Sequence, residues 1–142
     1  MDVKKLKEQL VGAGIEVYRT RPAEIHIAER VRLHIMDSGI RVACGDELRI
    51  TFTARTQRSD FPESATEDEL FARVRRTIGE SALSRGYAET ASGTTPVKDP
   101  IDDQRVLDTW HEVTYSRSLA DGDATVDEVR WVLSLERYVP ND

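Results

Sequence analysis

Apolar residues at every second position, Ile25, Ile27, Val31, Leu33 and Ile35, interrupted by Glu29, make residues 24–36 the clearest β-strand signal in the chain. Two further alternating segments follow, over about residues 40–44 and 48–56. Their connections, Asp37-Ser38-Gly39 and Gly45-Asp46-Glu47, carry residues that tolerate positive φ in tight hairpins. This pattern predicts an antiparallel meander with one wet face. On that face the alternation places His26, Ala28, Arg30, Arg32 and His34 from the first strand, and Arg49, Thr51, Thr53 and Arg55 from the third.

The period changes on either side of the meander. Val3, Leu6 and Leu10 lie three and four apart, with Asp2 to cap them and Gly12 and Gly14 to stop them, which predicts a short amphipathic helix. Ile15 and Val17 then alternate up to Arg21-Pro22, where proline ends or turns a strand. A second helix is signalled by Thr66-x-x-Glu69 or Ser64-x-x-Glu67 as capping box, by the stripe Leu70, Phe71, Val74, Ile78 and Ala82, and by Gly86 at its end. Gly79 inside it suggests close approach to a strand. Residues 88–104 read as a strand over residues 87–91 followed by a loop, or as a mobile loop that carries function. Leu107, Thr109, His111, Val113 and Tyr115 predict one C-terminal strand and Val129, Trp131, Leu133 and Leu135 another, joined by a hairpin loop over residues 120–125 and ended by Pro140.

The fold class expected is therefore α+β: an antiparallel sheet of five to seven strands with two helices on one face, in the order helix, strand meander, helix, strands. A chain of 142 residues fits a single domain, residues 1–142, with one core. Among small domains, this element order resembles that of acidic secretion chaperones, on order alone and with no motif residue behind it.

Charge and cysteine content narrow the partners. A net charge of -6 gives the whole molecule no general attraction to nucleic acid or to an anionic membrane. The first 58 residues carry 11 Lys and Arg against 8 Asp and Glu, and the remainder 9 against 18, so self-association of a basic meander with an acidic half is one reading of the imbalance. Cys44 is the single cysteine, in phase with Ile40 and Val42, so it reads as a small buried hydrophobe in a reducing compartment. With no run of about 20 apolar residues and no signal-peptide pattern, a cytoplasmic location is expected. Sixteen arginines against four lysines suggest a bacterium with a GC-rich genome.

Candidate chemistry is sparse. His26 and His34 would stand roughly 26 Å apart on a straight strand, too far to share an ion. Asp121-Gly122-Asp123 fails the calcium-loop pattern, because Val126 and Val132 occupy the positions that require glycine and glutamate. No phosphate-binding loop or nucleophile elbow occurs. What remains is a candidate binding surface: Arg30, Arg32, His34, Arg49 and Arg55 on the wet face, able to hold phosphate or carboxylate. Trp110, on the face opposite the core, joins it as an exposed anchor unless both faces of its strand are covered, by a helix and by a partner, and His111 joins it as a histidine on the apolar side of the strand. The expectation is a non-enzymatic protein-interaction module, adaptor or chaperone-like, forming a homodimer or docking a protein partner through an open sheet face or edge, with no cofactor. Its rival is a small-molecule-binding protein or small enzyme with a pocket between sheet and second helix involving His111. A nucleic-acid role ranks third, since the arginine stripe lacks interleaved aromatics.

Overall fold

The computed structural model describes residues 1–141. Its strands are β1 (Val17–Arg21), β2 (Glu24–Val31), β3 (His34–Cys44), β4 (Leu48–Gln57), β5 (Ala88–Lys98) and β6 (Val106–Leu119). They form one antiparallel sheet in the order β1-β2-β3-β4-β6-β5. The α+β class and the meander are as the alternation predicts, but there are three helices rather than two. Helix α1 is Val3–Gly12. Helix α2 runs through Glu67–Val74, a π-helical turn Arg75–Gly79 and a last turn Glu80–Ser84, and α3 is Gly122–Leu133.

The third helix stands where the alternation predicts a strand. Val129, Trp131, Leu133 and Leu135 do alternate, but Val126, Val129 and Val132 also repeat every third residue, and all three valines are buried while Trp131, Leu133 and Leu135 are only partly so. The cap decides between the two periods. Asp121 accepts a hydrogen bond from the Ala124 amide at 2.9 Å, so the supposed hairpin loop is a helix start.

The residues cluster into two compact units, one of residues 1–52 and 116–135, the other of residues 53–115 and the C-terminal segment from Glu136. In the first unit Leu6 and Leu10 of α1 and the three valines of α3 share an interior with Ile25, Ile27, Ile40, Val42, Ile50 and Phe52. Each such side chain contributes about 1.5–3 kcal/mol when fully buried. Gln9 donates to Asp123 at 2.7 Å and Arg130 donates to the Ala13 carbonyl at 2.6 Å, which ties the two helices together.

The alternating ladder of the first strand divides in two. Ile25 and Ile27 are fully buried, whereas Val31, Leu33 and Ile35 are exposed, because the chain reverses at Arg32-Leu33 and Val31 pairs with His34. Arg32 adopts φ 58 in this turn. Asp37-Ser38-Gly39, expected as the hairpin connection, is instead an irregularity inside β3, where the register shifts between the His26 and Ala28 pairs. Asp37 clamps it, receiving two bonds from the Arg41 guanidinium at 2.7 and 2.8 Å. The Arg41 hydrogen bond, outweighing partial burial, lowers the Asp37 carboxyl from 3.8 to about 2. A depressed carboxyl stabilises the fold above its unfolded value near 3.8 and loses that contribution as pH falls through about 2. Asp37→Asn should therefore cost about 1 kcal/mol at neutral pH, after solvent screening of a third-exposed pair. In denaturant melts that difference should close below pH 2; an unchanged gap in acid would show that the clamp does not titrate.

In the second unit the Thr66 capping box forms as expected, with the Glu69 amide donating to the Thr66 hydroxyl at 3.2 Å. Leu70, Val74, Ile78 and Ala82 of α2 are buried with Tyr87, Val113 and Tyr115. Residues 88–98 are one strand, longer than either expectation, and exposed almost throughout. An edge strand bare on both faces has no reason to alternate, so its three threonines carry strand propensity without a periodic signal. The Asp99 amide closes the β5–β6 hairpin on the Arg105 carbonyl at 2.9 Å.

Candidate functional site

In β4 and β6 the polar residues that alternate with buried ones meet in pairs. Within the first unit Thr51 meets Ser116 at 2.8 Å and Arg49 meets Ser118 at 3.1 Å; within the second Thr53 meets Thr114 at 3.1 Å and Arg55 meets Glu112 at 3.1 Å. These hydroxyl and ion pairs follow from alternation in two facing strands.

The densest group lies in the second unit. The Arg55 guanidinium sits 5.0 Å from the centre of the Trp110 ring, and Trp110 meets Tyr138 edge to face at 5.5 Å. Backbone pairing places Tyr138 there: the Arg55 amide donates to the Arg137 carbonyl and the Val139 amide to the Arg55 carbonyl, both at 2.8 Å. The Tyr138 hydroxyl donates to Asp60, and to Gln57 at 3.1 Å, while Gln57 donates to Asp108 at 2.6 Å. Burial, together with the hydrogen bond to Asp60 and the charges of Asp60 and Asp108, pushes the Tyr138 hydroxyl up to about 12, so it stays a donor at neutral pH. At Asp108 burial works upward, but hydrogen bonds from Ser59, Thr109 and Gln57 prevail and lower its carboxyl. Two rings and a stacked guanidinium form a surface of the composition that dominates protein-protein hot spots. Arg55 is already neutralised by Glu112, which weakens it as a phosphate site.

The other expected residues are distributed differently. Arg49 pairs with Glu47 at 2.8 Å, and Arg30 pairs with Glu16. Arg32 occupies the β2–β3 turn and His34 opens the following strand, so the turn interrupts the continuous stripe that alternation predicts. His26 is nearly buried and bonded to Glu24 at 2.6 Å. His111 lies on the opposite side of β6 from Trp110, 2% exposed, its ring 5.2 Å from Phe71. Neither of its ring nitrogens has a hydrogen-bond partner, and the Glu67 carboxylate stands 3.6 Å from Nε2. Burial pushes the half-buried Cys44 thiol up, away from a nucleophile's range.

Tyr138, Asp60 and Asp108 carry no signal in the sequence. Tyr138 is held by a single backbone bridge, which leaves no periodic trace, and the carboxylates lie in turns or at a strand's start. Among the described residues no three His, Cys, Asp or Glu side chains cluster as a metal ion would need, and no helix is long and apolar enough to cross a membrane. Compared with known protein families, with curated proteins and with solved structures, the chain matches none.

Proposed function

We propose that this chain is a non-enzymatic protein-interaction module that self-associates by pairing the β5 edge of one copy with the β5 edge of another. The observation that carries this reading is the contrast between the two edges of the sheet. β1 is five residues long, holds Arg19 and Arg21, contains a register irregularity and ends at Pro22, which are the usual defences of an edge. β5 is eleven residues long and exposed, and its charges, Glu89 and Lys98, stand towards its ends. Its one defence is Pro96. Because Asp99 turns its amide towards Arg105, residue 96 by alternation turns away from β6, where proline fits, and residues 88, 90, 92 and 94, in the same phase, present an open row of backbone donors and acceptors.

Antiparallel pairing of two such edges is isologous and closes at two copies. The rival reading, a pocket served by His111, is disfavoured because that imidazole is 2% exposed and closed against Phe71. The test is sedimentation of the unaltered chain and of Ser92→Lys with Thr94→Lys, which set like charges against each other across the joint. At each concentration the unaltered chain should be heavier than the double variant, by the edge-paired dimer, with the same circular dichroism. A mass unchanged by the two lysines would remove β5 as the contact.

A further inference from the structure

The two most exposed large apolar side chains among the described residues are Leu33, at 95%, and Ile101, at 97%, and both sit at hairpin ends. We propose that these ends recognise each other between molecules: the β2–β3 end of one copy seats on the β5–β6 end of a second copy of this chain. This contact is independent of β5 edge pairing.

Each end is built for contact in its own unit. The β1 ladder reaches only to the Val17 and Ile27 pair, and the β4 ladder only to Arg41 and Thr51, so the pairs from Glu29 and Met36 to Val31 and His34 stand as a two-stranded ribbon. Around Leu33, Val31, Ile35 and Met36 are each about half exposed. Arg32 holds the turn at φ 58, a left-handed conformation that costs a non-glycine residue about 1–2 kcal/mol, where glycine would sit freely. At the other end Val106 and Leu107 are about half exposed beside Ile101. Apolar groups of this size left in water at projecting turns mark an interaction surface.

Charge selects the partner. The side chains of Arg32 and His34 have no ion-pair or hydrogen-bond partner among the described residues, which leaves an unpaired guanidinium at the first end. The second carries Asp99, Asp102 and Asp103 against one guanidinium, Arg105, 3.9 Å from Asp99; the Asp103 carboxylate is unpartnered and the Asp102 carboxylate receives only the Gln104 amide of its own loop. An anionic lipid surface would suit the basic end and repel the acidic one, whereas a second copy offers each end its complement. Because the two surfaces differ, the contact is heterologous, and it leads to a ring or an open chain rather than a closed pair.

The test uses two knock-outs that complement each other, made with and without Ser92→Lys and Thr94→Lys so that edge pairing is scored separately. Leu33→Asp removes one end and Ile101→Asp the other; both positions are almost fully exposed, so folding should be unchanged by circular dichroism. With the edge lysines present, the chain should still associate with rising concentration. Either knock-out alone should be monomeric, and an equimolar mixture should give 1:1 pairs and nothing larger, weakened by salt. A mixture that stays monomeric overturns the proposal. So does a Leu33→Asp variant that associates normally but no longer binds phosphatidylglycerol vesicles, which would assign that end to lipid. Loss of mass from the edge lysines with no effect of the knock-outs would leave β5 pairing intact and reject the hairpin contact.

Discussion

Replacing Gly79 by alanine should destabilise the protein by about 1–3 kcal/mol, although alanine is the better helix former. The backbone there is ordinary helix, φ -61 and ψ -39, so conformation does not require glycine and the propensity gain of about 1 kcal/mol is available. Space decides against it. A Cβ at this position would lie 2.6 Å from the Tyr115 hydroxyl oxygen and 3.4 Å from the ring carbon that bears it. Tyr115 is 1% exposed and held in β6, so it cannot swing aside. The clash also gives a reason for glycine at the end of the π-helical turn Arg75–Gly79: the helix passes the strand too closely for any side chain there. Urea melts should show the double variant Gly79→Ala with Tyr115→Phe to be more stable than the sum of the single effects, by more than about 1 kcal/mol, since the oxygen that clashes is gone. A Gly79→Ala protein more stable than its parent would mean that the helix can shift away from the strand.

That close approach is legible in the amino-acid sequence, as a glycine within an otherwise well-formed helical stripe. So are the capped helices α1 and α2, the meander, and the division of β6 into a Trp110 face and a His111 face. In each case a buried surface imposes a period on the sequence. The signal fails where no burial exists to impose one. Leu33 continues the alternation of Ile25 and Ile27 only by count; a left-handed residue with no glycine to announce it turns the chain at Arg32. The strand β5 is only half visible because both its faces meet water. In α3 two periods overlap on the same residues, and only the Asp121 cap distinguishes them. The binding stripe is legible in part for a related reason: alternation brings Arg55 and Trp110 to one face, but it cannot foresee that Glu16, Glu47 and Glu112 neutralise three of its arginines.

His111 yields the second large effect, with two substitutions moving stability in opposite directions. The imidazole is 2% exposed and both ring nitrogens lack hydrogen-bond partners, and each buried unsatisfied polar group costs about 1–3 kcal/mol. Leucine has a similar volume, presents no polar atom and can fill the space against Phe71, so His111→Leu should raise stability by about 1–2 kcal/mol. His111→Ala removes the same polar atoms but leaves a cavity beside Phe71, and should lower stability by about 2 kcal/mol or more. The pair of melts separates packing from polarity, which one substitution alone could not do. If leucine destabilises as alanine does, the ring nitrogens are satisfied in solution, by a buried water or by Glu67 closing from 3.6 Å, and His111 is an ordinary structural residue. A gain with leucine instead means that the fold carries the imidazole at a cost to stability that packing does not require. Self-association of the leucine variant then becomes the informative measurement, because unsatisfied buried groups of this kind are retained where they serve something other than the core.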